Sequence, residues 1–115
     1  MRNDRRNVVA ERSVVFSLGI IRFTEVLEQD RKFVIAKQLL RSATSIGANI
    51  FEAQNAESKA DFIHKMKIAA KEASETTYWL LLCEKSESYP FDRALTYQLE
   101  ELIRILSRII ATAKG

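Results

Sequence analysis

The sequence predicts an all-α protein, an antiparallel up-down-up-down four-helix bundle, and three observations support this. Apolar residues recur at intervals of three and four along four long segments, as they do on one face of an α-helix. The 115 residues include only three glycines and one proline, too few for a chain rich in turns and strands. The segments are similar in length and separated by short connections, which favours antiparallel neighbours. A helical hairpin completed by a second subunit would show the same periodicity.

The four predicted helices form one domain that spans residues 1–115, because a chain of this length has room for one core. Ser58, followed by Asp61, resembles a capping box at the start of the third helix, and Asp92 is placed to cap the fourth. Pro90 separates these two helices. The predicted helices cover about residues 4–28, 32–55, 59–86 and 92–113.

Composition and charge limit the setting in which the protein works. The net charge is only +3, although the pI is about 9.2, so the basic balance is weak evidence for nucleic-acid binding. Cys83 is the only cysteine, which excludes an intrachain disulfide and a CxxC metal pair and suits a reducing compartment. The charged N-terminal residues do not resemble a signal peptide, and no apolar run is long enough to span a membrane. We therefore expect a cytoplasmic protein with no membrane partner, in which Cys83 fills a packing position.

The sequence offers no set of catalytic or metal-binding residues. His64 is the only histidine, so no Ser-His-Asp set can be specified, and there is no glycine-rich phosphate loop. A carboxylate-bridged metal site in a bundle needs two Glu-x-x-His motifs, and the sequence has none. We expect a protein that is not an enzyme, with no cofactor, no metal and no small-molecule substrate.

A polar stripe lies on the second helix where a plain amphipathic helix would need none. Its members recur at steps of four, four and three: Arg41, Ser45, Asn49 and Glu52. If the turn to the third helix centres near residue 57, Arg41 lies within reach of Glu72 or Glu75, and Glu75 is the preferred partner. The stripe is then a buried network that fixes the register of the two helices, and Arg41→Ala should destabilise the fold. The alternative is a site for a ligand or RNA.

Small residues predict close contact between the first two helices. If their turn centres near residue 30, Gly47 faces Ser13 and Gly19 faces Arg41. Leu40 is expected to point inward with the rest of the apolar stripe of the second helix.

Two groups of basic residues are candidates for phosphate contacts. The third helix carries His64, Lys67 and Lys71 at spacings of three and four. The first helix carries Arg2, Arg5, Arg6 and Arg12. Repeated around a ring of subunits, such groups could bind nucleic acid without sequence preference, through counterion release. The alternative is an ordinary solvated helix face.

Apolar residues outside the main stripes indicate a further interface. Leu18 and Ile21 fall off the stripe of the first helix, and aromatic residues gather near one end of the bundle. The aromatic candidates are Tyr78, Trp79, Tyr89 and Phe91. They could pack against the end of the bundle or form an interface, where aromatic residues are enriched. Together these features favour an oligomer.

The second and third helices carry motif residues that resemble one known family. The motif in the second helix stands as Gln38, Leu39, Arg41, Ser42, Ser45, Ile46, Gly47, Asn49, Ile50, Phe51, Glu52 and Ala53. The motif in the third stands as Phe62, Ile63, Met66, Ile68, Ala69, Lys71, Glu72 and Glu75. In these residues and in helix spacing, the chain resembles the four-helix bundle family named for proteins encoded in intervening sequences of bacterial 23S ribosomal RNA. Several positions depart from the family pattern, which suggests a divergent branch: Ser42, Gly47, Phe51, Ala53, Lys71 and Glu72.

The resemblance implies an all-α bundle that assembles as a homopentamer and whose biochemical role is mostly unassigned. A related branch serves as an accessory protein in diversity-generating retroelements, where it is associated with nucleic acid and a reverse transcriptase. Two functions follow as hypotheses. The first is an oligomeric bundle that binds nucleic acid or a nucleic-acid enzyme, and the second is an adaptor with only protein partners.

Overall fold

The structure, a computed structural model, describes residues 4–115 and shows no strand in that range. Its helices are α1 (Asp4–Gln29), α2 (Phe33–Ala53), α3 (Lys59–Lys85) and α4 (Arg93–Lys114). Each helix packs against the next, and α4 also packs against α1, which closes an up-down-up-down bundle of 46 × 20 × 20 Å. The predicted fold class is confirmed, and each helix end lies within two residues of its expected position.

A single stripe of apolar side chains on each helix builds the core. On α4 the stripe recurs every three or four residues: Leu95, Leu99, Leu102, Leu106 and Ile109. On α2 the stripe includes Leu39, which is fully buried, whereas Leu40 is 37% exposed. The expectation for Leu40 was therefore wrong. Because the two leucines are adjacent and identical, the sequence does not show which of them lies on the inner face.

The turn between α1 and α2 contains no glycine, yet it uses a left-handed backbone. Arg31 has φ of 63°. The amide of Lys32 donates to the carbonyl of Leu27 at 2.8 Å, and the amide of Arg31 donates to the carbonyl of Glu28 at 2.9 Å. This pair of bonds is the Schellman arrangement that ends many helices, with arginine where glycine is usual.

The two predicted caps hold the later helices. The Ser58 hydroxyl accepts from the amide of Asp61 at 3.0 Å at the start of α3. The Asp92 carboxylate accepts from the amide of Ala94 at 3.0 Å at the start of α4. In the expected capping box the Asp61 carboxylate would bond to the amide of Ser58. It accepts instead from the amide of Glu57 at 3.2 Å.

Gly47 lies at the closest approach of α1 and α2. A Cβ added at Gly47 would lie 3.1 Å from the Ser13 hydroxyl oxygen, so the expected pairing of these residues is confirmed. The expectation for Gly19 was wrong. A Cβ there would lie 3.0 Å from Leu95 Cδ2, so Gly19 makes room for α4 rather than for Arg41 on α2.

Candidate functional site

The polar stripe of α2 does not form one network. Arg41 pairs with Glu72 at 3.3 Å and, more closely, with Glu75, both on α3. Ser45 donates to the carbonyl of Arg41 at 2.7 Å, and Asn49 donates to the carbonyl of Ser45 at 2.9 Å. These two side chains therefore bond to their own helix. The last member of the stripe, Glu52, pairs with Lys65 at 3.0 Å.

The ion pairs of Arg41 lie at the surface. The Arg41 side chain is 48% exposed, and those of Glu72 and Glu75 are 22% and 37% exposed. The predicted partners are therefore right and the predicted burial is wrong. A long arginine side chain can cross between helices and still keep its charged group in water. Such a pair stabilises a fold much less than a buried one.

An aromatic pair extends the Arg41 contact along α3. Trp79 Nε1 donates to the Glu75 carboxylate at 2.9 Å. The hydrogen bond from Arg41, followed by the one from Trp79, lowers the pKa of Glu75. The Trp79 ring meets the Tyr78 ring at a centroid distance of 5.2 Å and an angle of 64°. Arg41, Glu75, Trp79 and Tyr78 thus form a connected series of contacts.

The buried polar contact between α2 and α3 is a hydroxyl pair that the sequence analysis did not identify. Ser42 and Thr76 are both fully buried, and their hydroxyl oxygens lie 2.9 Å apart. Thr76 also donates to the carbonyl of Glu72 at 2.8 Å. Ser42 stands where the resembled family has alanine, and Thr76 lies 34 positions further along the chain. The serine in place of alanine is the feature of the sequence that could have indicated a buried polar contact here.

The arginines in the first half of α1 contact neighbouring helices. Arg5 donates to the Thr112 hydroxyl at 3.1 Å, and the Arg6 guanidinium lies 4.1 Å from the centroid of the Phe62 ring. Arg12 forms an ion pair with Glu101 on α4. These contacts tie α1 to its neighbours. The expectation for Arg2 lies outside the described residues.

The basic residues of α3 have a different environment. They belong to what we call the α3 outer line, an exposed row with spacings of three and four: His64, Lys67, Lys71, Ser74, Tyr78, Leu81 and Lys85. None of these residues is acidic. Among residues 4–115, no acid lies within ion-pair distance of Lys67 or Lys71.

Three of the four aromatic interface candidates pack against the core, and only Tyr78 is exposed. Tyr89 and Phe91 lie at the connection between α3 and α4, and Trp79 is partly buried on α3. Lys32 lies 5.0 Å from the Tyr89 ring centroid, and Arg93 lies 5.6 Å from that of Phe91. For these two rings the geometry supports the end-packing alternative. Tyr78 and Trp79 lie on α3, away from the connection that holds the other two.

Leu18 and Ile21 belong to a larger exposed surface beside the contact of α1 with α2. We call this surface the α1–α2 apolar face, and it comprises Val14, Leu18, Ile21, Leu40 and Phe51. Between the two helices runs a groove with a floor of small residues, which includes Ser17, Gly47 and Ala48. The exposed fractions of the five apolar residues range from 37% at Leu40 to 52% at Phe51. Val14, Leu18 and Phe51 line this groove together, and a group of exposed apolar residues of this kind is typical of an interface.

The groups with chemical reactivity are few. Cys83 is fully buried, and burial raises the pKa of its thiol to about 11, so it stays protonated near neutral pH. Within the described range, no group of three or more His, Cys, Asp or Glu residues could hold a metal ion. No helix there is both long and apolar enough to cross a membrane.

These features define a small all-α bundle with a polar α2–α3 contact, an apolar α1–α2 face and a basic outer line on α3. The sequence profile of the 23S rRNA-intervening sequence protein family matches residues 5–111, so the chain belongs to that family. No curated protein matches the chain.

One similar crystal structure is described as a protein of unknown function from the S23 ribosomal protein family of Bacteroides thetaiotaomicron VPI-5482. It is 43% identical to this chain and superimposes with a TM-score of 0.88. The similarity covers 93% of this chain and 98% of that one. The family and its fold are therefore shown, and no particular biochemical role is established.

Proposed function

We propose that this protein is a self-associating, non-enzymatic bundle that binds nucleic acid without sequence preference. The observation that carries the proposal is the α3 outer line, where Lys67 and Lys71 are exposed and belong to none of the ion pairs of the described residues. The basic, nucleic-acid-associated branch found with retroelement reverse transcriptases is the setting that the resemblance offers for this activity.

Ion pairing distinguishes these lysines from four other bases of the bundle. Arg12, Lys65 and Arg93 each pair with a carboxylate on a neighbouring helix, as Arg41 does. Their charges are partly balanced within the fold. Lys67 and Lys71 project from the middle of α3 with no such partner, so a phosphate can replace their counterions at no cost in broken ion pairs. A convex helix face with flexible lysines contacts backbone phosphates rather than base edges, which accounts for binding without sequence preference.

Self-association would increase the strength of this binding. A single face with two or three bases binds phosphates weakly, whereas several copies held together act on one strand at high effective concentration. The α1–α2 apolar face supports an interface between copies because it is exposed and three of its five residues line one groove. It lies on α1 and α2, so its use leaves the outer line of α3 open. The homopentamer implied by the family resemblance is the assembly that we propose.

Binding to labelled oligonucleotides at a series of salt concentrations tests the nucleic-acid proposal. Wild-type protein should bind at low salt and lose affinity as salt rises. The double variant Lys67→Gln/Lys71→Gln should bind more weakly, with a salt slope reduced by about 0.7 for each lost contact to a single strand. Lys37→Gln/Lys114→Gln removes two exposed charges elsewhere and is the matched control. If wild-type protein binds neither RNA nor DNA at low salt, the proposal is wrong.

The second candidate is an adaptor that has only protein partners, and the α1–α2 apolar face favours it. The variant Leu18→Glu/Phe51→Glu places charges on that face, and light scattering should then show a fall from an oligomer to a monomer of 13.2 kDa. A wild-type protein that is itself monomeric contradicts the pentamer. An oligomer that binds no oligonucleotide at any salt concentration supports the adaptor.

A further inference from the structure

We propose that the α3 outer line binds single-stranded nucleic acid, with Lys67 and Lys71 on phosphates and Tyr78 stacked on a base. This inference rests on the proposed function and narrows its ligand from any nucleic acid to single strands. It also assigns a role to the contact series that begins at Arg41.

Tyr78 is aligned with the basic residues. It lies seven residues after Lys71, or two helical turns, so the two side chains leave α3 in nearly the same direction, about 10 Å apart along the axis. Tyr78 is 53% exposed, and only the small side chain of Ser74 lies between it and Lys71 on the line. A strand that follows α3 would therefore meet positive charge first and then an aromatic ring.

The Tyr78 ring is held in place by its neighbour. The Trp79 ring contacts it at 64°, so at most one face of the Tyr78 ring is covered by this contact. Trp79 is anchored in turn by its 2.9 Å hydrogen bond to Glu75. An aromatic ring that is ordered before binding loses little conformational entropy when a base stacks on it.

The Arg41 contact also protects the charge of the line. Glu75 lies four residues after Lys71, a spacing at which a carboxylate and an ammonium group can pair on one helix. In the structure Glu75 bonds to Arg41 and Trp79, on the side of α3 that faces α2. Lys71 is thereby left without an ion pair among the described residues. Arg41 acts here as a positioning residue that directs Glu75 away from the line.

The combination of lysines with an aromatic ring favours single strands over duplexes. In a duplex each base is stacked between its neighbours, so its face is closed to a side chain. Single strands expose base faces, and proteins that bind them without sequence preference combine a basic track with aromatic stacking. Every base has such a face, so stacking on Tyr78 adds affinity without sequence preference.

Fluorescence anisotropy with labelled single-stranded DNA, single-stranded RNA and a duplex of the same length tests the inference. Tyr78→Leu should weaken single-strand binding between about fivefold and about 150-fold, the range measured for loss of one stacked base. Duplex binding should change little. Tyr78→Phe keeps the ring and should retain single-strand affinity. Tyr97→Leu changes a tyrosine that is 60% exposed and belongs to α4 rather than to the line, and it is the matched control.

Trp79 gives a second readout because it is the only tryptophan and lies beside Tyr78. Its emission should change when a single strand binds wild-type protein, and this change should be smaller in Tyr78→Leu. Equal affinities of Tyr78→Leu and wild type for single strands, with weaker binding by Lys67→Gln/Lys71→Gln, would overturn the inference and leave the proposed function intact. Failure of wild-type protein to bind any of the three oligonucleotides would overturn both.

Discussion

The two sides of α2 make contacts of different kinds. Toward α1, small residues meet: Gly47 lies against Ser13 so closely that an added Cβ would be 3.1 Å from the serine oxygen. Toward α3, polar groups meet, with the Ser42–Thr76 hydroxyl pair inside and the Arg41–Glu75 ion pair outside. One helix therefore uses close backbone approach on one side and hydrogen bonding on the other.

The outer edges of these two contacts also differ, and this difference indicates which edge stabilises the fold and which is available to a partner protein. Ion pairs from Arg41 and Glu52 cross the outer edge of the α2–α3 contact. No ion pair of the described residues joins α1 to α2, and exposed apolar side chains such as Leu18 and Phe51 flank that contact instead. A bundle that needed only to be soluble would place charges at both edges. The apolar edge is thus the one suited to another protein surface.

Gly47→Leu should have the largest effect because it forces α1 and α2 apart. Ser13 is 1% exposed, and its hydroxyl already donates to the carbonyl of Ala10 at 2.7 Å, so it cannot easily move aside. Overpacking costs about 1–3 kcal/mol or more, and a four-carbon side chain at so close an approach belongs at the upper end of that range. This cost exceeds the gain in helix propensity of up to about 1 kcal/mol on replacing glycine.

Denaturant unfolding of Gly47→Leu measures this cost, with Ala60→Leu as the control. Ala60 is exposed on α3, away from the α1–α2 contact, so its replacement should change the unfolding free energy by no more than about 0.5 kcal/mol. Equal stabilities for the two variants would contradict the close approach of α1 and α2.

The hydroxyl pair on the other side of α2 should have an intermediate effect. Thr76→Val keeps the shape of the side chain but removes the partner of Ser42 and the bond to the carbonyl of Glu72, which should cost about 1 kcal/mol or somewhat more. Ser42→Ala should cost less, because Thr76 keeps its bond to Glu72. The double variant should be less destabilised than the sum of the two, since the residues share one contact. Additive losses would show that the two hydroxyls do not interact.

The sequence was sufficient for the helices because their signals are local. Apolar spacing, Ser58, Asp92 and Pro90 place the helix ends, and counting from the turns pairs Gly47 with Ser13 and Arg41 with Glu75. Such counting gives the level of a residue along the bundle. It does not give the rotation of each helix to within one residue, which is why Leu40 was expected inside in place of Leu39.

Counting residues from the turns could not show which polar residues are buried. The charged residue Arg41 was expected inside, whereas the buried polar residues are Ser42 and Thr76. A long side chain reaches the surface from a position at the edge of a contact, but a short hydroxyl one residue away cannot. The sequence predicts only the basic part of the α3 outer line, because an aromatic residue such as Tyr78 is equally typical of a protein interface.

Arg41→Ala should have the smallest effect on stability and thereby mark the contrast with the buried pair. The ion pair is exposed, so its loss should lower the melting temperature by only a few degrees at neutral pH.

Because the folded-state pKa of Glu75 is lowered, its stabilising contribution is present above the ordinary carboxyl pKa of 4.5 and is lost as the pH falls through the lowered value. The difference in melting temperature between wild type and Arg41→Ala should therefore be constant near neutral pH and shrink below about pH 4. Thr76→Val should show no such pH dependence, since hydroxyls do not titrate there. A large, pH-independent loss in Arg41→Ala would mean that arginine supports the α2–α3 contact by packing rather than by charge.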